Sequence, residues 1–114
     1  MFTGLVETTA TVRSLRRTGA GARLELAVEL GPLEGGHTAQ LEAAGASVTA
    51  IEANRHAFLK CLITKELLGL ERSHFLLGDF LPWLEERGQD PAAEPVDLVV
   101  ASGVLYHAPD PLRL

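Results

Sequence analysis

The chain has 114 residues, 46% hydrophobic and 22% charged, which suits one small domain with one core and excludes a disordered chain. A net charge of −5 excludes nucleic-acid binding through a basic surface. Cys61 is the sole cysteine, so no intrachain disulfide can form, and no apolar run nears the roughly 20 residues that cross a bilayer. The N-terminus lacks a basic-then-apolar signal pattern, and the expectation is a cytoplasmic protein. The charge is uneven. Residues 1–30 carry four arginines against three glutamates; the remainder carries six basic residues against twelve acidic ones.

The first predicted element is a β hairpin. Residues 9–14 alternate polar and apolar side chains, as a half-buried strand does. Thr18-Gly19-Ala20-Gly21 reads as a turn, because glycine tolerates positive φ. Residues 23–30 alternate again, with Leu24, Leu26, Val28 and Leu30 on one face. Arg16 and Arg17 fall at the solvated hairpin end.

A second grammar follows, with strands and helices taking turns. Residues 26–30 form a strand and run into a glycine-containing loop, 31–36, before a helix over 38–44 that Gly45 ends. Residues 48–51 are a short apolar strand. Asn54 is placed to cap a helix of about 15 residues closing at Gly69. Ala57, Leu59, Leu62, Ile63 and Leu67 are expected to form its apolar side. A strand over 74–77, a short helix over 81–87 and a polar loop over 88–95 come next. Residues 96–101 are almost uninterruptedly apolar, as expected of a strand buried on both faces. Such alternation predicts an α/β fold: a partial doubly wound, Rossmann-like parallel sheet of order 3-2-1-4, preceded by the hairpin.

Open α/β sheets bind ligands beyond the carboxyl ends of their strands. Four such ends here carry polar or glycine-rich residues. Gly31 and Gly35 follow the first, where glycine lets the backbone approach a ligand. Glu52 ends the second, about 20 residues later, where a carboxylate can accept hydrogen bonds from ribose hydroxyls. Asp79 and Phe80 follow the third, and Ser102, Tyr106 and His107 follow the fourth. His107 is a candidate general base and Tyr106 a candidate pocket wall. His37, His56 and His74 are scattered without ligand spacing, so no metal site is expected. Cys61 and Trp83 read as packing residues.

The stretch VELGPLEGGHTAQLEAAGASVTAIEANRHAFLKCLITKELLGL, with FLLGDFLPWLE and VDLVVASGVLYHAPDPLRL, closely resembles class I S-adenosylmethionine-dependent methyltransferases. It covers residues 28–114. The resemblance implies S-adenosyl-L-methionine as cofactor. It places Glu29, Gly31 and Gly35 beside the methionine part, Glu52 at the ribose, and Asp79 and Phe80 at the adenine. It places Ser102, Tyr106 and His107 at the methyl-transfer site. Leu33 departs from the pattern by replacing a middle glycine. The same resemblance implies that a complete sheet continues past Leu114, so the domain is expected to be truncated and catalytically incomplete. The strand at 96–101 would then be an exposed sheet edge, a site for self-association.

Residues 1–27 carry a different resemblance. Met1-Phe2-Thr3-Gly4-Leu5-Val6-Glu7, with Thr11-Val12 and Gly21-Ala22-Arg23-Leu24, look like the start of riboflavin synthase. That implies a chimera joined within a shared alternating strand, with lumazine binding as the alternative function and a non-catalytic, oligomerising chain as another.

Overall fold

A computed structural model of the chain describes residues 16–18, 21–23, 25–105 and 110. Two short strands, β1 (Arg16–Thr18) and β2 (Gly21–Arg23), pair antiparallel and set Thr18 opposite Gly21. A hairpin is therefore present, but not with the expected boundaries. Its second strand stops at Arg23, and β3 (Leu26–Leu30) belongs to another sheet. The expected earlier strand at 9–14 lies outside the described residues.

The main sheet has four parallel strands: β3, β4 (Ser47–Glu52), β5 (Ser73–Leu77) and β6 (Leu98–Val100). Their spatial order is β5-β4-β3-β6, which is 3-2-1-4 counted from β3. The helices α1 (Gly36–Ala43), α2 (Arg55–Leu68) and α3 (Phe80–Gln89) alternate with them. The fold is a Rossmann-like α/β sheet.

The strand expected to be half-buried is the central one, and it is covered on both faces. Ala27 faces a cluster with Val48, Leu98, Val100 and Leu41 of α1. Val28 and Leu30 face the other way, joining Ile51 and the α3 residues Phe80, Trp83 and Leu84. The alternation of Leu26, Val28 and Leu30 separates two buried faces rather than core from solvent. Strand β6 shows the converse. Its apolar run reads as a strand buried on both faces, yet it pairs with β3 alone and Val99 is 44% exposed, which matches the open edge also expected at 96–101. Among the described residues it is an edge strand.

Capping follows the chemistry of the sequence. Asn54 accepts the amides of His56 and Ala57 at 2.9 and 3.1 Å, and Gly69 closes α2 in the left-handed conformation, φ 62°. Asp79 caps α3 by accepting the Leu81 amide at 2.9 Å. Pro82 falls in the first turn of α3, where a missing N–H costs no intrahelical bond. Asp97, just ahead of β6, accepts the amides of Glu25 and Leu26 at 3.0 and 2.9 Å and fixes the entry to β3.

The apolar side expected for α2 is not what packs. The residues turned inward are Ala57, Phe58, Cys61, Thr64 and Lys65, whereas Leu59, Leu62, Ile63 and Leu67 are exposed. Phe58 and Cys61 meet Ala50, Leu70 and Phe75.

Candidate functional site

The carboxyl ends of β3, β4, β5 and β6 lie along one edge of the sheet, as parallel pairing requires. The loop after β3 is the centre of this edge. The Gly31 amide donates to the Ile51 carbonyl at 2.9 Å, and Gly31 has φ 67°. A Cβ here would lie 2.6 Å from Cγ1 of Val104, in the turn after β6. Gly35 has φ 83°, and a Cβ there would lie 3.3 Å from the Phe75 ring. Both glycines are thus demanded by backbone conformation and by close approach.

Leu33 replaces the middle glycine but keeps the glycine conformation, φ 55°. Left-handed backbone is costly for a leucine, and the surroundings hold it. Its amide donates to Glu52 Oε2 at 3.1 Å, and the Cys61 thiol donates to its carbonyl at 3.1 Å. Helix α2 ties down the next residue as well. Thr64 Oγ1 donates to the Glu34 carbonyl at 2.7 Å, and Lys60 pairs with the Glu34 carboxylate at 3.0 Å. The substitution is therefore accommodated as a variant of the loop.

Glu52 is 5% exposed at the end of β4. Besides Leu33, it accepts the Asn54 amide at Oε1, 2.8 Å. Two amides on two oxygens leave a carboxylate with further lone-pair capacity. Glu52 is first a staple between loop and strand, which its strand-end position did not reveal.

Glu29, at 1% exposure, sits beneath the same loop. Thr38 Oγ1 donates to its Oε2, and His37 Nδ1 lies 3.5 Å from its Oε1. Burial pushes the Glu29 carboxyl above its ordinary value, opposed by the Thr38 hydrogen bond and the nearby imidazole. His37 is exposed, and its ring lies beside this buried acid. Thr38 and His37 were not recognised as partners of Glu29 from sequence, although nine and eight residues separate them across a strand–loop–helix turn.

Asp79 is exposed, and its Oδ1 is committed to capping α3. Phe80 opens α3 and is half-buried against the Val28, Leu30 and Ile51 side of the sheet. Ser102 is half-buried in the turn that brings Val104 onto Gly31. Tyr106 and His107 lie outside the described residues. Cys61 is fully buried, and burial with the surrounding Glu52, Glu29 and Glu34 charges pushes its thiol up to about 12, so it serves as packing and loop anchor. Trp83 packs between α3 and the sheet as expected. A cavity of about 470 Å³ lies elsewhere, at the opposite strand ends, lined by Glu25, Ser47, Arg72 and Asp97 among others.

No family model matches the chain, and no curated protein does. Among solved structures, the crystal structure of WbdD matches with a TM-score of 0.53 and 19% identity, covering 75% of this chain. What the two share is the Rossmann-like α/β fold. The match spans 18% of the WbdD chain, and at this identity it speaks to fold alone. The riboflavin synthase resemblance of residues 1–27 finds no support in these comparisons. Among the described residues, no helix is long and apolar enough to cross a membrane.

Proposed function

We propose that residues 28–114 form the S-adenosylmethionine-binding part of a class I methyltransferase, and that residues 1–27 are a segment of separate origin. The observation carrying this reading is the set of acids on the strand-end edge, Glu29, Glu52 and Asp79, around a loop with left-handed sites at three alternate residues, Gly31, Leu33 and Gly35. The methyltransferase-related structural neighbour fits the same reading. The single buried thiol suits a reducing, cytoplasmic compartment.

The residues fit the cofactor chemically. S-adenosylmethionine supplies a methyl group already activated on a sulfonium, so an acidic site complements it without a strong base. Glu29 places a buried carboxyl group under the loop, while Gly31 and Gly35 let the backbone come close. Glu52 retains lone pairs for a ribose diol beyond the two amides it holds. Asp79 keeps Oδ2 for an adenine amino group, with Phe80 beside it. Ser102 belongs to the wall of the methyl-transfer side, where Tyr106 and His107 would act.

Isothermal titration with S-adenosylhomocysteine tests binding directly, and a ligand whose ribose 2′,3′-diol is blocked tests Glu52. A hydrogen bond to a charged group contributes about 1.5–3 kcal/mol, so blocking the diol should weaken binding roughly tenfold to a hundredfold. Absence of binding at millimolar ligand would refute the cofactor reading; equal affinity for both ligands would remove Glu52 from the ribose.

A further inference from the structure

Helix α2 carries an outward face that the cofactor site leaves unused. Arg55, Leu59, Leu62 and Glu66 are spaced four, three and four residues apart, which keeps them within an arc of about 60° on an α-helix. All four are exposed, Leu59 by 55% and Leu62 by 40%, and Ile63 and Leu67 extend the apolar stripe on one side. Neither Arg55 nor Glu66 has a hydrogen-bond or ion-pair partner among the described residues. The cations Lys60 and Lys65 are instead engaged within the chain, with Glu34 and with the Ser73 carbonyl.

The pattern is self-complementary. If two copies of α2 cross antiparallel about a two-fold axis between positions 60 and 61, Leu59 meets the second copy's Leu62. Arg55 then meets Glu66 of that copy, and symmetry repeats both contacts. Such an isologous contact is what a two-fold homodimer needs. The paired leucines supply apolar burial, and the end charges select the antiparallel register over the parallel one, which would set Arg55 against Arg55 and Glu66 against Glu66. We propose that the exposed face of α2 is a docking surface for α2 of a second copy of this chain, held by Leu59–Leu62 contacts and registered by two Arg55–Glu66 pairs.

This surface is separate from the β6 edge and from the strand-end site, so it stands or falls independently of the cofactor reading. Sedimentation equilibrium on the full chain, from micromolar to about millimolar concentration, is the test. Wild type should show a monomer–dimer equilibrium. Glu66→Arg or Arg55→Glu alone sets like charges together twice over and should weaken the dimer about tenfold. The double variant Arg55→Glu with Glu66→Arg restores opposite charges and should recover affinity to within about threefold of wild type. Far-ultraviolet circular dichroism of each variant checks that the helix is intact. A strictly monomeric wild type overturns the proposal. So does a dimer that ignores both reversals and is lost on Val99→Lys, which would place the contact at the β6 edge.

Discussion

Replacing Glu52 by alanine tests the staple that shapes the candidate site. The carboxylate holds the Leu33 amide at 3.1 Å and the Asn54 amide at 2.8 Å, with the side chain almost wholly buried. Each hydrogen bond to a charged group contributes about 1.5–3 kcal/mol, and both are lost together. Leu33 and Asn54 are exposed, so water recovers part of that loss. Leu33 also loses a restraint on its left-handed backbone. The expected destabilisation is about 3 kcal/mol, a large share of the roughly 6–17 kcal/mol available to a chain of this length. With a urea m-value of about 1–3 kcal/mol per molar, the midpoint should fall by about 1–3 M with m unchanged. Glu52→Gln, which retains one acceptor, should fall between the two. A Glu52→Ala midpoint indistinguishable from wild type would refute the staple. Its consequence for ligand binding is separable, because the blocked-diol ligand probes the carboxylate without disturbing the loop.

Gly31→Ala adds left-handed strain of about 1–2 kcal/mol and a Cβ contact at 2.6 Å with Val104, for a total destabilisation of about 2–4 kcal/mol. Adding Val104→Ala should recover the contact portion and not the strain; failure of the pair to couple in denaturant melts would rule out the contact. Glu29→Gln should show a pH-dependent gain. Burial raises the folded carboxyl above its ordinary value, so the contribution of Glu29 to stability is present below the unfolded value and lost as pH rises through the folded one. The variant should therefore gain on wild type as pH rises above the ordinary carboxylate range of about 4, while losing affinity for the proposed cationic cofactor; a stability difference constant with pH would contradict this. Cys61, with its thiol pushed up to about 12, should resist alkylation in the native protein at about pH 8 and react on unfolding. Rapid stoichiometric labelling of the native chain would refute its burial.

The sheet was legible because its signals are local. Asn54 and Gly69 mark the ends of α2 by capping chemistry, and short apolar runs at 48–51 and 74–77 recur at strand spacing. Periodicity misled where it could not tell which neighbour an apolar side chain meets. Leu24 to Leu30 reads as one half-buried strand, but the chain leaves the hairpin at Arg23 and enters the centre of a parallel sheet, where both faces are covered. Leu59, Leu62, Ile63 and Leu67 form a true helical stripe that points outward, because Phe58 and Cys61 fill the sheet side. At the site, the residue types were legible and their bonds were not. The Glu52–Leu33 and Cys61–Leu33 contacts join residues 19 and 28 positions apart, and no spacing rule connects a strand-end acid to a loop amide.

The leucine in the loop and the acid at the end of β4 are best understood together. A glycine at position 33 would adopt φ 55° freely, and the loop would then need little to hold it. Leucine makes that conformation costly, and the cost is met by contacts from two elements, Glu52 on β4 and Cys61 on α2. The contacts that hold the strained residue thus tie the loop to a strand-end carboxylate and to the helix beside it. A loop held in this way is preorganised: a ligand meeting Glu52 finds the carboxylate already oriented and does not have to order it. The leucine side chain, exposed at the mouth of the loop, adds an apolar surface where a glycine would offer none. Leu33→Gly should therefore relieve that backbone cost while keeping the backbone amide and carbonyl that Glu52 and Cys61 hold, stabilising the chain by about 1 kcal/mol and leaving hydrogen exchange at residues 31–35 no faster than in wild type. Faster exchange in that segment would mean that the leucine's own stiffness, and not the two side-chain anchors, sets the rigidity of the site.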